Sequence, residues 1–171
     1  SSVPYFYNEY WYITRYETGK DYPIYTRKKE TLEAEEVVLF DCNLMAADYD
    51  YFSLVGINVS PDNTKVAYAL DTLSRRKYII YVKDLSDGSL LKTKIKNTTG
   101  GSVWGADNKT LYYNRKNPET LRSEAVLKHD IQLPDQVDEM VYEEVDETYS
   151  VHISKSKSKE YIFISSFSTL T

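Results

Sequence analysis

The residues able to do nucleophilic or metal chemistry are few. They are one cysteine, Cys42, two histidines, His129 and His152, and a serine beside paired glycines at Gly100-Gly101-Ser102. A nucleophile elbow needs Gly-x-Ser-x-Gly on a sharp strand-to-helix turn. Gly100-Gly101-Ser102-Val103-Trp104 fails at the last glycine and leads into a strand pattern, so it reads as a flexible turn between structural units. Each histidine stands in a strand-like stretch, and neither lies near a serine–carboxylate set that sequence can identify. One cysteine and two distant histidines would need carboxylates at unmatched spacings to complete a zinc site. Ser154-x-x-Lys157 has serine–lysine nucleophile spacing but falls in a polar Ser-Lys alternation where a hairpin turn is expected. Asp48-Tyr49-Asp50-Tyr51-Phe52 lacks the glycine and distal glutamate of a calcium loop. Cys42 can form no internal disulfide and reads as a small buried hydrophobe. Asn58-Val59-Ser60, Asn97-Thr98-Thr99 and Asn108-Lys109-Thr110 match the glycosylation acceptor pattern, which matters only in a secretory compartment. The sequence therefore assigns no catalytic, cofactor-binding or metal residue.

Charge offers one further candidate. Between Leu133 and Thr148 lie seven carboxylates (Asp135, Asp138, Glu139, Glu143, Glu144, Asp146 and Glu147) and no basic residue. Such a run could draw cationic peptides toward a channel. The competing reading is a solvated loop and strand edge, helped by Lys155, Lys157 and Lys159. A formal net charge of -5 argues against a general nucleic-acid binder, which needs clustered positive charge to displace counterions. No run approaches the roughly 18 apolar residues of a membrane span, and the start carries no charged-then-apolar leader. A cytoplasmic location is the expectation, with the periplasm as the alternative.

The elements that must position these residues are almost all strands. Glu9 to Lys29 interleaves aromatics with arginine and lysine, which suits either a base-stacking platform or two antiparallel strands. The second reading fits the rest of the chain, with tyrosines in the strands and the basic residues solvated. Tyr10 to Tyr16 and Tyr22 to Arg27 flank a turn at Thr18 to Asp21. Helix is expected only as one exposed turn within Lys29 to Glu36. Turns follow at Pro61 to Asn63, at Asp87-Gly88, where both residues tolerate positive φ, at Ala106 to Asn108 and at Ser154 to Lys159. Asp62 and Asp107 mark equivalent turns about 45 residues apart, the period of a four-stranded propeller blade. Blades are expected at residues 5–54, 55–100 and 101–147, with the start of another at 148–171. So few units cannot close a ring, and the chain reads as a fragment.

"YWYITRYETGKDYPIYTRK", "DYFSLVGINVSPDNTKVAYALDT", "SVWGADNKTLYYNRK", "VYEEVDETYSV" and "YIFISSFSTLT" resemble, in order and over essentially the whole chain, the first part of the propeller in the prolyl oligopeptidase family of serine peptidases. Tyr22-Pro23-Ile24-Tyr25-x-Arg27-Lys28 and Val141-Tyr142-Glu143-Glu144 point to its oligopeptidase B branch. "SEAVLKHDI" departs from the family, which more often has an aromatic-rich strand there. The resemblance implies an all-β partial propeller from a seven-bladed parent, with the α/β-hydrolase domain and its Ser-His-Asp triad outside this chain. It implies a non-catalytic role, covering and gating a site that cleaves short peptides after arginine or lysine. It also implies no cofactor. The alternative is a standalone β-repeat module that binds protein or peptide. Open blade faces near Trp11 to Ile13 and Ile162 to Ile164 would favour self-association.

Overall fold

The computed structural model describes residues 2–159 and 161–168, and these divide into two units meeting between Phe52 and Ser53. In the first unit the aromatic and β-branched runs form β1 (Tyr5–Tyr7), β2 (Tyr10–Arg15), β3 (Ile24–Lys29) and β4 (Val37–Asp41). They make one antiparallel sheet in chain order. Ile24, Thr26, Leu39 and Phe40 fill its buried face. A single helical turn, α1 (Cys42–Met45), follows at once, because the Asp41 carboxylate accepts from the Asn43 N–H at 3.0 Å and caps its first turn.

Three expectations for this region need correction. Lys29 to Glu36 is not helical: Glu30 adopts φ +63°, which ends β3 in a tight turn, and Glu36 is drawn instead to Arg15 at 2.8 Å. Arg27 is not solvated. It is buried, with its guanidinium 3.9 Å from the centre of the Tyr10 ring, where its weakly hydrated planar face meets aromatic carbon. Trp11 to Ile13 do not form the margin of the sheet. β1 lies outside them, stacking Tyr5 on Tyr12 and tilting Phe6 against Trp11.

The second unit contains β5 (Ser53–Val59), β6 (Lys65–Asp71), β7 (Tyr78–Asp84), β8 (Leu90–Trp104), β9 (Thr110–Lys116), β10 (Ser123–Asp130) and β11 (Glu139–Glu143) in one antiparallel meander. A separate hairpin pairs β12 (Tyr149–Lys155) with β13 (Ile162–Ser168). The seven strands are two four-stranded ladders that share β8. Its first part pairs with β7, and from Thr98 onward it pairs with β9. Gly100-Gly101 is therefore no flexible turn but the crossing point inside one strand. The reason is close approach: a Cβ on Gly56 of β5 would lie 2.1 Å from the Gly100 carbonyl oxygen. Gly56 and Gly100 also hold φ +68° and +95°, which other residues resist.

Between the two ladders Ala67, Ala69, Ile80, Val82, Ile95, Trp104, Leu111 and Ala125 pack as one apolar cluster. Trp104 donates its indole N–H to the Asn58 carbonyl at 2.8 Å, so its polar edge is satisfied as its ring is buried. The stretch that departs from the family, "SEAVLKHDI", forms the well-buried β10, with Ala125 and Val126 fully enclosed. The turns fall where glycine, asparagine and aspartate placed them. At Asp87-Gly88 only Gly88 takes positive φ, and two carboxylates close the turn, Asp84 accepting from the Ser86 N–H and Asp87 from the Ser89 N–H, each at 2.8 Å. These meandering four-stranded ladders are blades, and the fold is a partial β-propeller.

Candidate functional site

The structure disperses most of the residues whose types suggested chemistry. Cys42 is buried at the start of α1, and burial pushes its thiol up to about 11, away from thiolate reactivity. Ser102 lies within β8, its hydroxyl buried. Ser154 lies inside β12, which runs to Lys155, so the turn expected from Ser154 begins only at Ser156, and Lys157 belongs to it. His152 is exposed and stacks on Phe167 with ring centres 4.7 Å apart. Asn58 and Asn108 spend their side chains on Ser102 O and the Asp62 N–H.

One cluster does assemble, and no sequence signal announced it. His129 of β10 is 4% exposed and lies between Thr93 of β8 and Asp138, which closes the loop from β10 to β11. Its Nε2 is 2.9 Å from Thr93 Oγ1 and its Nδ1 is 2.7 Å from Asp138 Oδ1. The second oxygen of Asp138 accepts from the Tyr113 hydroxyl of β9. Burial first, and then this hydrogen bond, hold the Tyr113 phenol protonated far above its ordinary range. The two ring nitrogens of His129 thus bridge a hydroxyl on one side and a carboxylate on the other. Four polar groups from four chain segments are thereby satisfied in one chain of hydrogen bonds.

The order hydroxyl, imidazole, carboxylate is that of a nucleophilic triad. Here it does something else. Thr93 is only 1% exposed, so no substrate carbonyl can reach its hydroxyl. The arrangement works as a clasp that fastens the loop 131–138 down onto β8, β9 and β10. Nothing in the sequence joins its members, because Thr93 and His129 stand 36 residues apart and alternate with ordinary strand residues.

The acidic run is largely spent on similar local work. Asp138 points inward, and Glu139 pairs with Lys128 at 3.1 Å. Glu144 accepts from the hydroxyls of Tyr142 and Ser166 at 2.8 and 2.7 Å. Asp146 caps the Thr148 N–H at 2.9 Å. Lys155 donates to the Trp104 carbonyl, while Arg122 holds the carbonyls of Glu144, Asp146 and Tyr149 at 2.8–3.2 Å.

Comparison with known proteins places this architecture. The sequence profile of the prolyl oligopeptidase N-terminal β-propeller domain matches residues 1–171. The dipeptidyl aminopeptidase BI of Pseudoxanthomonas mexicana is 38% identical over the whole chain, and protease 2 of Moraxella lacunata is 33% identical over 99% of it. The chain spans about a quarter of the length of these curated relatives, 26% and 25%. Among solved structures, oligopeptidase B from Leishmania major superposes with a TM-score of 0.90 at 30% identity, covering 97% of this chain and 24% of that one. Oligopeptidase B from Trypanosoma brucei, with covalently bound antipain in a closed form, gives 0.87 at 26% identity, covering 97% and 23%.

Proposed function

Because the chain belongs to the prolyl oligopeptidase family, we propose that it is the opening part of the propeller in a larger serine endopeptidase of the oligopeptidase B branch. In that parent the propeller covers the active site and limits entry to short peptides, which are cleaved after arginine or lysine. An α/β-hydrolase domain outside this chain supplies the serine nucleophile, the histidine base and the oxyanion hole. The observation that carries this reading is the end-to-end likeness to oligopeptidase B structures of which the chain spans only a quarter. The blades are proposed to divide at 54/55, 100/101 and 147/148. The division at 100/101 is supported by the switch of β8 from one ladder to the next near Gly100, whereas the one at 54/55 falls just inside β5. The hydrolase domain and the remaining blades are the proposed partners, and a chain lacking them is expected to associate with itself through exposed Phe163, Ile164 and Phe167.

A second reading concerns the parent's mode of attack. The relative at 38% identity is named a dipeptidyl aminopeptidase, which favours release of dipeptides from an amino terminus over internal cleavage. Sequencing the products of the parent on a peptide with internal arginines separates the two, since dipeptides alone support the second. For the chain by itself, an arginine- or lysine-ester reporter is expected to show no turnover above buffer. Turnover that survives repurification and yields to a serine-directed phosphonate would overturn the non-catalytic assignment. An open reading frame ending shortly after Thr171 would replace the peptidase reading with the standalone module.

A further inference from the structure

Beside the clasp lies a groove of about 710 Å³, lined on one side by Leu91 and Lys92 of β8 and on the other by Ile131, Leu133, Pro134 and Asp135 of the 131–138 loop. We propose that this groove and the adjoining margin of β8 receive an extended acidic segment of a partner protein, added as a further strand along Leu90–Asn97.

Three observations meet here. The first is an open backbone edge. Among the described residues, the first part of β8 pairs only with β7, and its pairing with β9 begins at Thr98. An edge of this kind accepts a strand through main-chain hydrogen bonds, while alternate side chains choose which strand. The second is charge. Lys92, Lys94 and Lys96 alternate along this margin, all exposed, while Thr93 and Ile95 between them point inward. No carboxylate occurs anywhere from Leu90 to Trp104, in a chain whose net charge is -5. Lysines at this spacing repel neutral or basic strands and admit an acidic one, so one device gives both protection and choice. The third is rigidity. Thr93 sits between Lys92 and Lys94, and its hydroxyl is tied through His129 to Asp138 at the far end of the loop. The clasp thus fixes both walls of the groove before anything binds, which lowers the ordering cost of binding. Leu91, Ile131, Leu133 and Pro134 supply apolar contact for one side chain of the incoming strand. Asp135 opposite Lys92 fixes which way its acidic face turns.

The test uses the unaltered 171-residue chain and a fluorescently labelled synthetic peptide alternating glutamate with valine. Binding by anisotropy is expected, weakening steeply with added salt, together with slowed amide exchange confined to Leu90–Asn97. Exchanging Lys92, Lys94 and Lys96 together for glutamate is expected to weaken binding about tenfold or more. Leu133→Ala, in the opposite wall, is expected to weaken it without altering the salt dependence. The salt titration and exchange pattern on the unaltered chain decide the matter should the triple variant fail to fold. Equal binding of a glutamine-for-glutamate peptide would overturn the proposal. So would exchange in Leu90–Asn97 that stays unchanged on binding. Protection of these amides without peptide in a concentration-dependent dimer would also overturn it, since a second copy would then be the occupant.

Discussion

His129 and His152 stand in similar strand sequences, Leu-Lys-His-Asp and Ser-Val-His-Ile, and end in opposite surroundings. β10 lies between β9 and β11 and contributes to an apolar cluster, so His129 is enclosed and both its ring nitrogens have partners. β12 has one neighbour in its sheet, β13, and among the described residues of the hairpin only Val151 is fully enclosed. His152 therefore stays at the surface against a half-exposed Phe167. What separates the two is the number of strands stacked around them, not the residues themselves. A blade strand becomes core only when its sheet and the next are both present, and the hairpin has neither in full.

The sharpest way to break that comparison is to remove bulk from each region. Trp104→Ala opens a cavity at the contact of the two ladders and orphans the Asn58 carbonyl, and is expected to cost about 3–5 kcal/mol. Phe163→Ala, on the exposed margin of β13, is expected to cost less than about 1 kcal/mol. Urea unfolding read by amide exchange in β6 and β7 measures both, and equal costs would show that the hairpin is as much core as the sheet.

The two histidines come next. His129→Ala leaves Thr93 and Asp138 without their shared partner in a buried place, and is expected to cost about 2–3 kcal/mol. His152→Ala removes a surface stack worth about 1 kcal/mol or less. A double-mutant cycle of His129 with Asp138 should show coupling well above that of His152 with Phe167.

What could be read in advance follows the range over which each feature is determined. Turns are local, so the aspartates and glycines near Asp62, Gly88 and Asp107 announced them, although after β7 Asp84 shares the closing of the turn with Asp87. The strand period and the repeat at Asp62 and Asp107 made the blades legible. Non-local features were not. The placing of Arg27 over the Tyr10 ring needs β2 and β3 already paired, and the clasp needs β8, β9 and β10 in register with the loop. Gly100-Gly101 showed itself as backbone freedom, but whether that freedom served a turn or a crossing depended on where β5 ran.

A smaller effect is expected where the two regions join. Arg122 spans three carbonyls between Glu144 and Tyr149, and so tethers the segment that leads from β11 into the hairpin. Arg122→Gln is expected to loosen this tether by about 1–2 kcal/mol, as a loss of charge-assisted hydrogen bonds. The change should appear as faster amide exchange in Tyr149–Lys155, with β6 and β7 unaffected. Uniform acceleration throughout would instead make the hairpin and the sheet one cooperative body.

The smallest effect expected separates the two regions by acidity. The sheet's turns at Asp62 and Asp107 are closed by carboxylates. Asp107 accepts from the backbone N–H groups of Lys109 and Thr110 and from the Thr110 hydroxyl, and Asp62 from Thr64 and Ser60. Partial burial opposes ionisation at both, but the hydrogen bonds together outweigh it and hold each carboxyl below the ordinary aspartate range. A depressed folded value means that the stabilisation is fully present above the unfolded value, near pH 4, and is lost as pH falls through the folded one. The hairpin turn at Ser156–Lys159 is closed by serine hydroxyl and backbone contacts, which do not titrate there. Asp107→Asn is accordingly expected to cost about 1 kcal/mol at neutral pH, the size of a lost cap, with the gap to the parent chain narrowing below pH 4. Ser156→Ala should show a gap that does not change over the same range. Stability measured from pH 2 to 7 checks both, and an Asp107→Asn gap that persists undiminished in acid would mean that its carboxylate charge contributes nothing to the turn.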